Sequence, residues 1–354
     1  MKKKFNLNLQ IYGANVLITH LTALVQEMEG VRLAQDIEAV HRMRVASRRL
    51  RAVLPLFGQQ VVGKRHLEWI KAVRGITRAL GLARDSDVQI DSVSNFLESA
   101  QSPNRIGIRR LLLRLRQQRA DLQPKVMKEL NKFEKSGVVS EMAQTLAPFN
   151  IYHDRLDAND ARLIKLANQA IRAGMAEYLD FDEIVEQPEK VAELHAMRIS
   201  AKRFRYTLET FAPLFEENLK DYLKALRSGQ DMLGTIHDCD VWGDFIPQFM
   251  EEERQRTEEY FGSLRSFKRL IPGLTLYQDA RRSEREDVYN DFRDAWKRWT
   301  NDGLWADLIA VLDARVAAAT IVSPVEEPIA GEEPTADGVA TVNDGAAPTP
   351  AAAE

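Results

Sequence analysis

The chain has 354 residues, of which 45% are hydrophobic and 29% charged, the balance of a folded globular protein with room for two domains or one domain of two halves. Its net charge of −3 hides an uneven layout. Seven of the 52 acids and none of the 49 Lys and Arg lie beyond Thr320, so the preceding body keeps 49 basic residues against 45 acids, a surplus of four. The lone Cys239 excludes an internal disulfide framework, no apolar run is long enough to span a bilayer, and Lys2-Lys3-Lys4 leads into no apolar signal core; a soluble cytoplasmic protein is expected.

Taken in chain order, the apolar periodicity predicts helices over about Gln10–Met28, Asp36–Phe57, Lys64–Leu80, Val88–Ser99 and Arg105–Glu134. A second series follows over about Asp157–Tyr178, Lys190–Phe215, Leu219–Leu233, Val241–Phe261 and Arg281–Leu312. Alternating Val/Ile/Thr patterns are scarce, so the fold class is all-α. Gly81 and Gly234 each follow a leucine and read as helix C-caps. From about Thr320 the chain is Ala, Pro, Glu, Gly and Thr with few large apolar residues, and residues 320–354 are expected to be a disordered acidic tail.

The most informative feature is an internal repeat. His41-Arg42-Met43-Arg44-Val45-Ala46-Ser47-Arg48-Arg49-Leu50-Arg51 recurs 154 positions later as His195-Ala196-Met197-Arg198-Ile199-Ser200-Ala201-Lys202-Arg203-Phe204-Arg205. Leu80-Gly81-Leu82-Ala83-Arg84-Asp85-Ser86-Asp87-Val88 recurs at an offset of 153 as Leu233-Gly234-Thr235-Ile236-His237-Asp238-Cys239-Asp240-Val241. Lys71 and Arg74 align with Lys224 and Arg227, and a weaker match sets Arg116 and Arg119 against Arg282 and Arg285. The body, residues 1–319, therefore reads as a tandem duplication, with one repeat over about 8–150 and the other over about 155–315.

On a helix advancing about 100° per residue, His41, Arg44, Arg48 and Arg51 fall within an arc of about 80°. Met43, Ala46, Leu50, Val53 and Leu54 fall opposite, and Arg49 points away from the row. His195, Arg198, Lys202 and Arg205 repeat the row. Lys71, Arg74 and Arg78 form a further stripe; Lys224 and Arg227 repeat two of its members, and Asp231 replaces the third. No acid interrupts the first stripe, so its cations repel one another unless solvent or a polyanion screens them. Arginine forks bind phosphate oxygens bidentately, and one helical turn of about 5.4 Å lets such a row follow successive phosphates.

These paired His-x-x-Arg-x-x-x-Arg/Lys-Arg-x-Arg blocks, each followed by Leu-Gly-x-x-Arg/His-Asp-x-Asp-Val, resemble the CHAD (conserved histidine α-helical domain) family over about residues 8–315. The resemblance implies two antiparallel helical bundles related by pseudo-two-fold symmetry around a central basic channel. It implies non-catalytic binding of inorganic polyphosphate and association with polyphosphate granules and other granule proteins. The implied lining is His41, Arg44, Arg48, Arg51, Lys71 and Arg74 with His195, Arg198, Lys202, Arg205, Lys224 and Arg227, extending to Arg116, Arg119, Arg282 and Arg285. Lys202 in place of Arg48, and His237 in place of Arg84, qualify the equivalence of the halves.

No cofactor, metal, membrane or catalytic residue is expected. His237-Asp238-Cys239-Asp240 holds ligand types, but four consecutive residues do not face one ion, and its counterpart Arg84-Asp85-Ser86-Asp87 lacks the His and Cys. The four aspartates are read as helix caps or as partners for nearby arginines. Two other readings remain at this point: a helical protein holding a nucleic-acid backbone with the same rows, and a polyphosphate phosphohydrolase. The first lacks aromatics interleaved with the rows, and the second lacks a carboxylate cluster for Mg²⁺.

Overall fold

The computed structural model describes residues 6–322, apart from Gln35 and Glu217. Its helices are α1 (Leu7–Gln26), α2 (Met28–Leu33), α3 (Ile37–Val62), α4 (His66–Ser99), α5 (Arg105–Lys135), α6 (Val138–Asn150), α7 (Ala161–Leu179), α8 (Val191–Phe211), α9 (Lys220–Phe261), α10 (Arg265–Lys268), α11 (Ile271–Asn301) and α12 (Leu304–Val322). Four short 3₁₀ turns join them, and the described residues contain no strand. Three helix starts are capped by side chains: Asn6, Asp36 and Asp160 accept hydrogen bonds from the first-turn amides of Leu9, Glu38 and Leu163 at 2.8, 2.8 and 2.9 Å.

Several boundaries differ from those expected. Gly81 and Gly234 end nothing; α4 and α9 run straight through them. Each helix is held by its own buried stripe, with Leu80, Ala83 and Ser86 buried in α4 and Leu233, Ile236 and Cys239 in α9. The capping role for Asp85, Asp87, Asp238 and Asp240 falls with that correction, since all four sit in helix interiors. The helix expected over Arg281–Leu312 is two, parted at Asp302-Gly303, where Gly303 takes φ +72°. The short α6, with Met142 and Leu146 fully buried, was not anticipated. Residues 320–322, placed in the acidic tail, belong to α12, and the rest of the tail lies outside the described residues.

One order of packing occurs twice. In the first series α1 lies on α3, α3 on α4, α4 on α5, and α6 on α1; in the second, α7 lies on α8, α8 on α9, α9 on α11, and α12 on α7. The series join where α3 meets α8 and α5 meets α11. Phe57, Trp69, Tyr178, Phe204, Phe211 and Phe292 fill the larger core, each under 2% exposed and contributing roughly 1.5–3 kcal/mol by burial. Tyr12 of α1 stacks on Phe211 of α8 and donates its hydroxyl to the Thr210 carbonyl at 2.6 Å, tying the series together. A smaller core, including Val93, Ile108, Leu111, Trp242, Ile246 and Tyr277, joins the far parts of α4, α5, α9 and α11.

Candidate anion-binding site

The apolar faces of α3 and α8 decide where the cations go. Burying Met43, Leu50, Val53 and Leu54 on α3, and Met197, Phe204, Leu208 and Phe211 on α8, turns the His/Arg/Lys row of each helix away from the core. Because α3 packs on α8, the two rows converge. Arg48 lies among Arg44, Arg198 and Arg205, and Lys202 lies among Arg198, Arg48 and Arg44.

This convergence is electrostatically costly. Burial, and then the three neighbouring guanidinium groups, push the Lys202 ammonium down to about 6, with Asp238 offsetting a part. Burial also lowers the Arg48 and Arg198 pKa values. Arg198 Nε and Arg205 Nε are buried with no hydrogen-bond partner among the described residues. The Tyr206 ring lies near both Arg48 and Arg205, their guanidinium carbons 5.7 and 5.2 Å from its centroid, and gives partial cation–π compensation.

A cleft of about 550 Å³ opens beside the cluster, lined by Arg44, Arg198, His195, His237, Asp85, Asp238 and Arg281 among others. Arg44 and Arg198 lie across the shelves left by Gly81 and Gly234: a Cβ on Gly81 would sit 3.8 Å from Arg44 Nε, and one on Gly234 would sit 3.9 Å from Arg198 Nε. The repeated Leu-Gly pair thus gives each arginine a smooth helix surface to cross. The stripe does have acids beside it, supplied by the next helix and invisible in the stripe itself. Asp85 holds Arg44 at 3.0 Å, and Asp238 lies near Arg198. Asp238 reaches solvent, yet the surrounding protein raises its carboxyl pKa, with Arg198 and Lys202 opposing the rise.

The histidines of the site are biased toward the neutral form. His195 and His237 share a hydrogen bond between their Nδ1 atoms at 3.1 Å, so one donates and the other accepts. Burial, then Arg198, push His237 down to about 4; burial, then cationic neighbours, also lower His41 and His195. At the other end of the row, Arg51 approaches Arg74 of α4, and Arg205 approaches Arg227 of α9 near Glu209.

Other residues read from the sequence stand apart. Arg119 is bound to Asp87 at 2.6 Å and Arg285 to Asp240 at 2.5 Å, each pair mostly shielded from solvent. Arg282 is exposed and pairs with Asp279. Arg116 and Lys224 are exposed, and Lys71 lines a separate groove with Glu68, Glu129 and Lys132. Among the described residues no group of three or more His, Cys, Asp or Glu is placed to hold a metal; Cys239 is buried, with its thiol 3.6 Å from Glu284. No helix among them is long and apolar enough to cross a membrane. Sequence reasoning missed Tyr206 and Glu209. The signal was available one turn along α8, since Glu209 follows Arg205 at i+4.

The CHAD domain family model matches residues 15–247. Two curated relatives, uncharacterised proteins of Mycobacterium tuberculosis strains CDC 1551 / Oshkosh and ATCC 25618 / H37Rv, are each 29% identical over 233 residues, or 61% of this chain. The chain spans 41% of the length of these relatives. Among solved structures, the CHAD domain from the plant Ricinus communis matches with a TM-score of 0.58 and 22% identity, covering 81% of this chain and 91% of that one. PptA from Streptomyces chartreusis matches with a TM-score of 0.52 and 15% identity, covering 81% and 98%. At these identities the structural likeness speaks for the fold.

Proposed function

This chain belongs to the CHAD family, and from that premise we propose that it binds inorganic polyphosphate without catalysis, in a basic channel lined by the converging rows of α3 and α8. The observation that carries the reading is the convergence of Arg44 and Arg48 from one half with Arg198 and Lys202 from the other, a crowding that together with burial lowers the Lys202 pKa to about 6. A cluster that represses its own charge has more to gain from a polyanion than a solvated basic face has. Each phosphate brought against it restores charge and adds charge-assisted hydrogen bonds, about 1.5–3 kcal/mol apiece.

His41, Arg44, Arg48, Arg51 and Arg74, with His195, Arg198, Lys202, Arg205 and Arg227, form the proposed grip. Arg119 and Arg285 then act as braces that hold α5 to α4 and α11 to α9, and Lys71, Lys224, Arg116 and Arg282 contribute through long-range attraction. Association with polyphosphate granules in the cytoplasm, alongside other granule proteins, belongs to the same reading.

The test is a competition among long-chain polyphosphate, tripolyphosphate, duplex DNA and single-stranded RNA at about 0.15 M salt. Long polyphosphate should outcompete duplex DNA at least tenfold, because a thin chain enters a cleft between helices that excludes a duplex about 20 Å across, and its affinity should fall steeply with salt. Equal affinities would transfer the rows to nucleic-acid backbone, and release of orthophosphate from the long chain would sink the non-catalytic reading.

A further inference from the structure

The two rows differ at their C-terminal ends. In the first half, Arg51 on α3 approaches Arg74 on α4, and among the described residues neither has an acidic partner within 4.0 Å. In the second half, the corresponding Arg205 and Arg227 share a carboxylate. Glu209 lies 3.4 Å from Arg227 and, more loosely, 3.9 Å from Arg205. Arg49 reaches the same carboxylate from α3 at 3.1 Å. The Glu209 side chain is only 16% exposed and lines a small cleft with His20, Arg49, Tyr206 and Arg227.

At the repeat offset of 154, the position matching Glu209 is Pro55, an exposed and uncharged residue. Two further exchanges lean the same way: Asp231 stands opposite Arg78, and the neutral His237 opposite Arg84. The second half therefore meets a polyanion with its terminal cations already engaged, while the first half meets it with a bare pair.

We propose that Glu209 is a built-in stand-in for phosphate, which makes the Arg205–Arg227 end of the second row the weaker grip and the Arg51–Arg74 end of the first row the stronger one. This rests on the polyphosphate reading above and adds a residue that sets affinity. The physical reason is exchange. A phosphate arriving at Arg51 and Arg74 relieves a repulsion outright. One arriving at Arg205 and Arg227 replaces an existing carboxylate, which must be released or tolerated as a neighbouring like charge. Glu209 also fastens Arg49 of the first half to α8, so the same carboxylate holds the two series together when no ligand is bound.

The test uses the full chain and isothermal titration with long-chain polyphosphate and with tripolyphosphate. Glu209→Gln, which keeps a hydrogen-bond acceptor and removes the charge, should bind long polyphosphate about three- to tenfold more tightly than the wild type. Pro55→Glu sets a carboxylate one turn beyond Arg51 and should weaken binding by a similar factor, whereas Pro55→Gln should stay within about twofold of the wild type. Thermal melting checks that each variant is folded, and if Glu209→Gln is not, the Pro55→Glu and Pro55→Gln pair decides alone. A wild type that binds while Glu209→Gln is unchanged or weaker, or Pro55→Glu that behaves like Pro55→Gln, overturns the role of Glu209. A wild type that binds no polyphosphate overturns the parent reading instead.

Discussion

Arg48 and Arg119 carry the same side chain into opposite circumstances. Arg48 is surrounded by Arg44, Arg198 and Arg205, and the Tyr206 ring offers it partial compensation. Arg119 holds Asp87, which is 4% exposed and whose carboxyl pKa burial raises while Arg119 pulls it back. Arg48→Gln should leave the ligand-free protein as stable as the wild type or more so. Arg119→Gln strands a buried carboxylate and should cost roughly 2–4 kcal/mol in urea unfolding; equal losses in the two variants would make Arg48 structural as well.

Lys202 gives the site a pH signature. Its folded pKa of about 6 lies below the ordinary 10.5, so between those values the unfolded chain holds more protons. Ligand-free stability should therefore rise with pH across that window and fall as pH drops toward 6. A bound polyanion favours the ammonium, so binding above about pH 6 should take up a proton and weaken as pH rises to about 8. Titration in buffers of different ionisation enthalpy measures that uptake. His41, His195 and His237 also face the cluster and could take up protons, so Lys202→Met is the control: uptake above pH 7 that survives this substitution would assign the proton elsewhere.

The elements most exposed to error are the long hairpins, α4 with α5 and α9 with α11. They meet where Gly107 of α5 abuts the Leu270 carbonyl and Gly273 of α11 abuts the Asn104 carbonyl. A methyl at Gly107 or Gly273 would overlap that backbone, which cannot yield as a side-chain tip can. Gly107→Ala should lower stability by about 1–3 kcal/mol through overpacking, despite alanine's higher helix propensity. Gly81→Ala meets only Arg44 Nε at 3.8 Å, an ordinary contact, and should stabilise α4 by roughly 0.5–1 kcal/mol. Denaturant midpoints shifting the same way in both would mean that the hairpin crossing is looser than these contacts imply.

Across the described residues, the internal sequence repeat is followed more closely in packing than in charge. The order of helix contacts recurs, the Arg–Asp brace of α4 with α5 recurs between α9 and α11, and each Leu-Gly pair underlies an arginine. The electrostatic positions have drifted instead, at Glu209, Asp231, His237 and Lys202. Packing tolerates few exchanges because a misfit costs energy at once, whereas a change of charge on a partly solvated face is cheap to folding and alters only what the face attracts.

The sequence by itself determined the helical class, the duplication and the direction in which each cationic row points, because these depend on periods of 3.6 residues and on internal similarity, which are local properties of the chain. The helix ends inferred at Gly81 and Gly234 failed because a glycine within a helix has the same local signature as one that ends it, and the difference lies in the buried stripe that continues past each, through Ala83 and Ser86 in α4 and Ile236 and Cys239 in α9. Only the tertiary structure decided which cations are crowded by other cations, as Lys202 is, and which find acids, as Arg119 and Arg285 do. A helical wheel fixes the face a side chain occupies, but the field it experiences comes from neighbouring helices tens to hundreds of residues away in the chain.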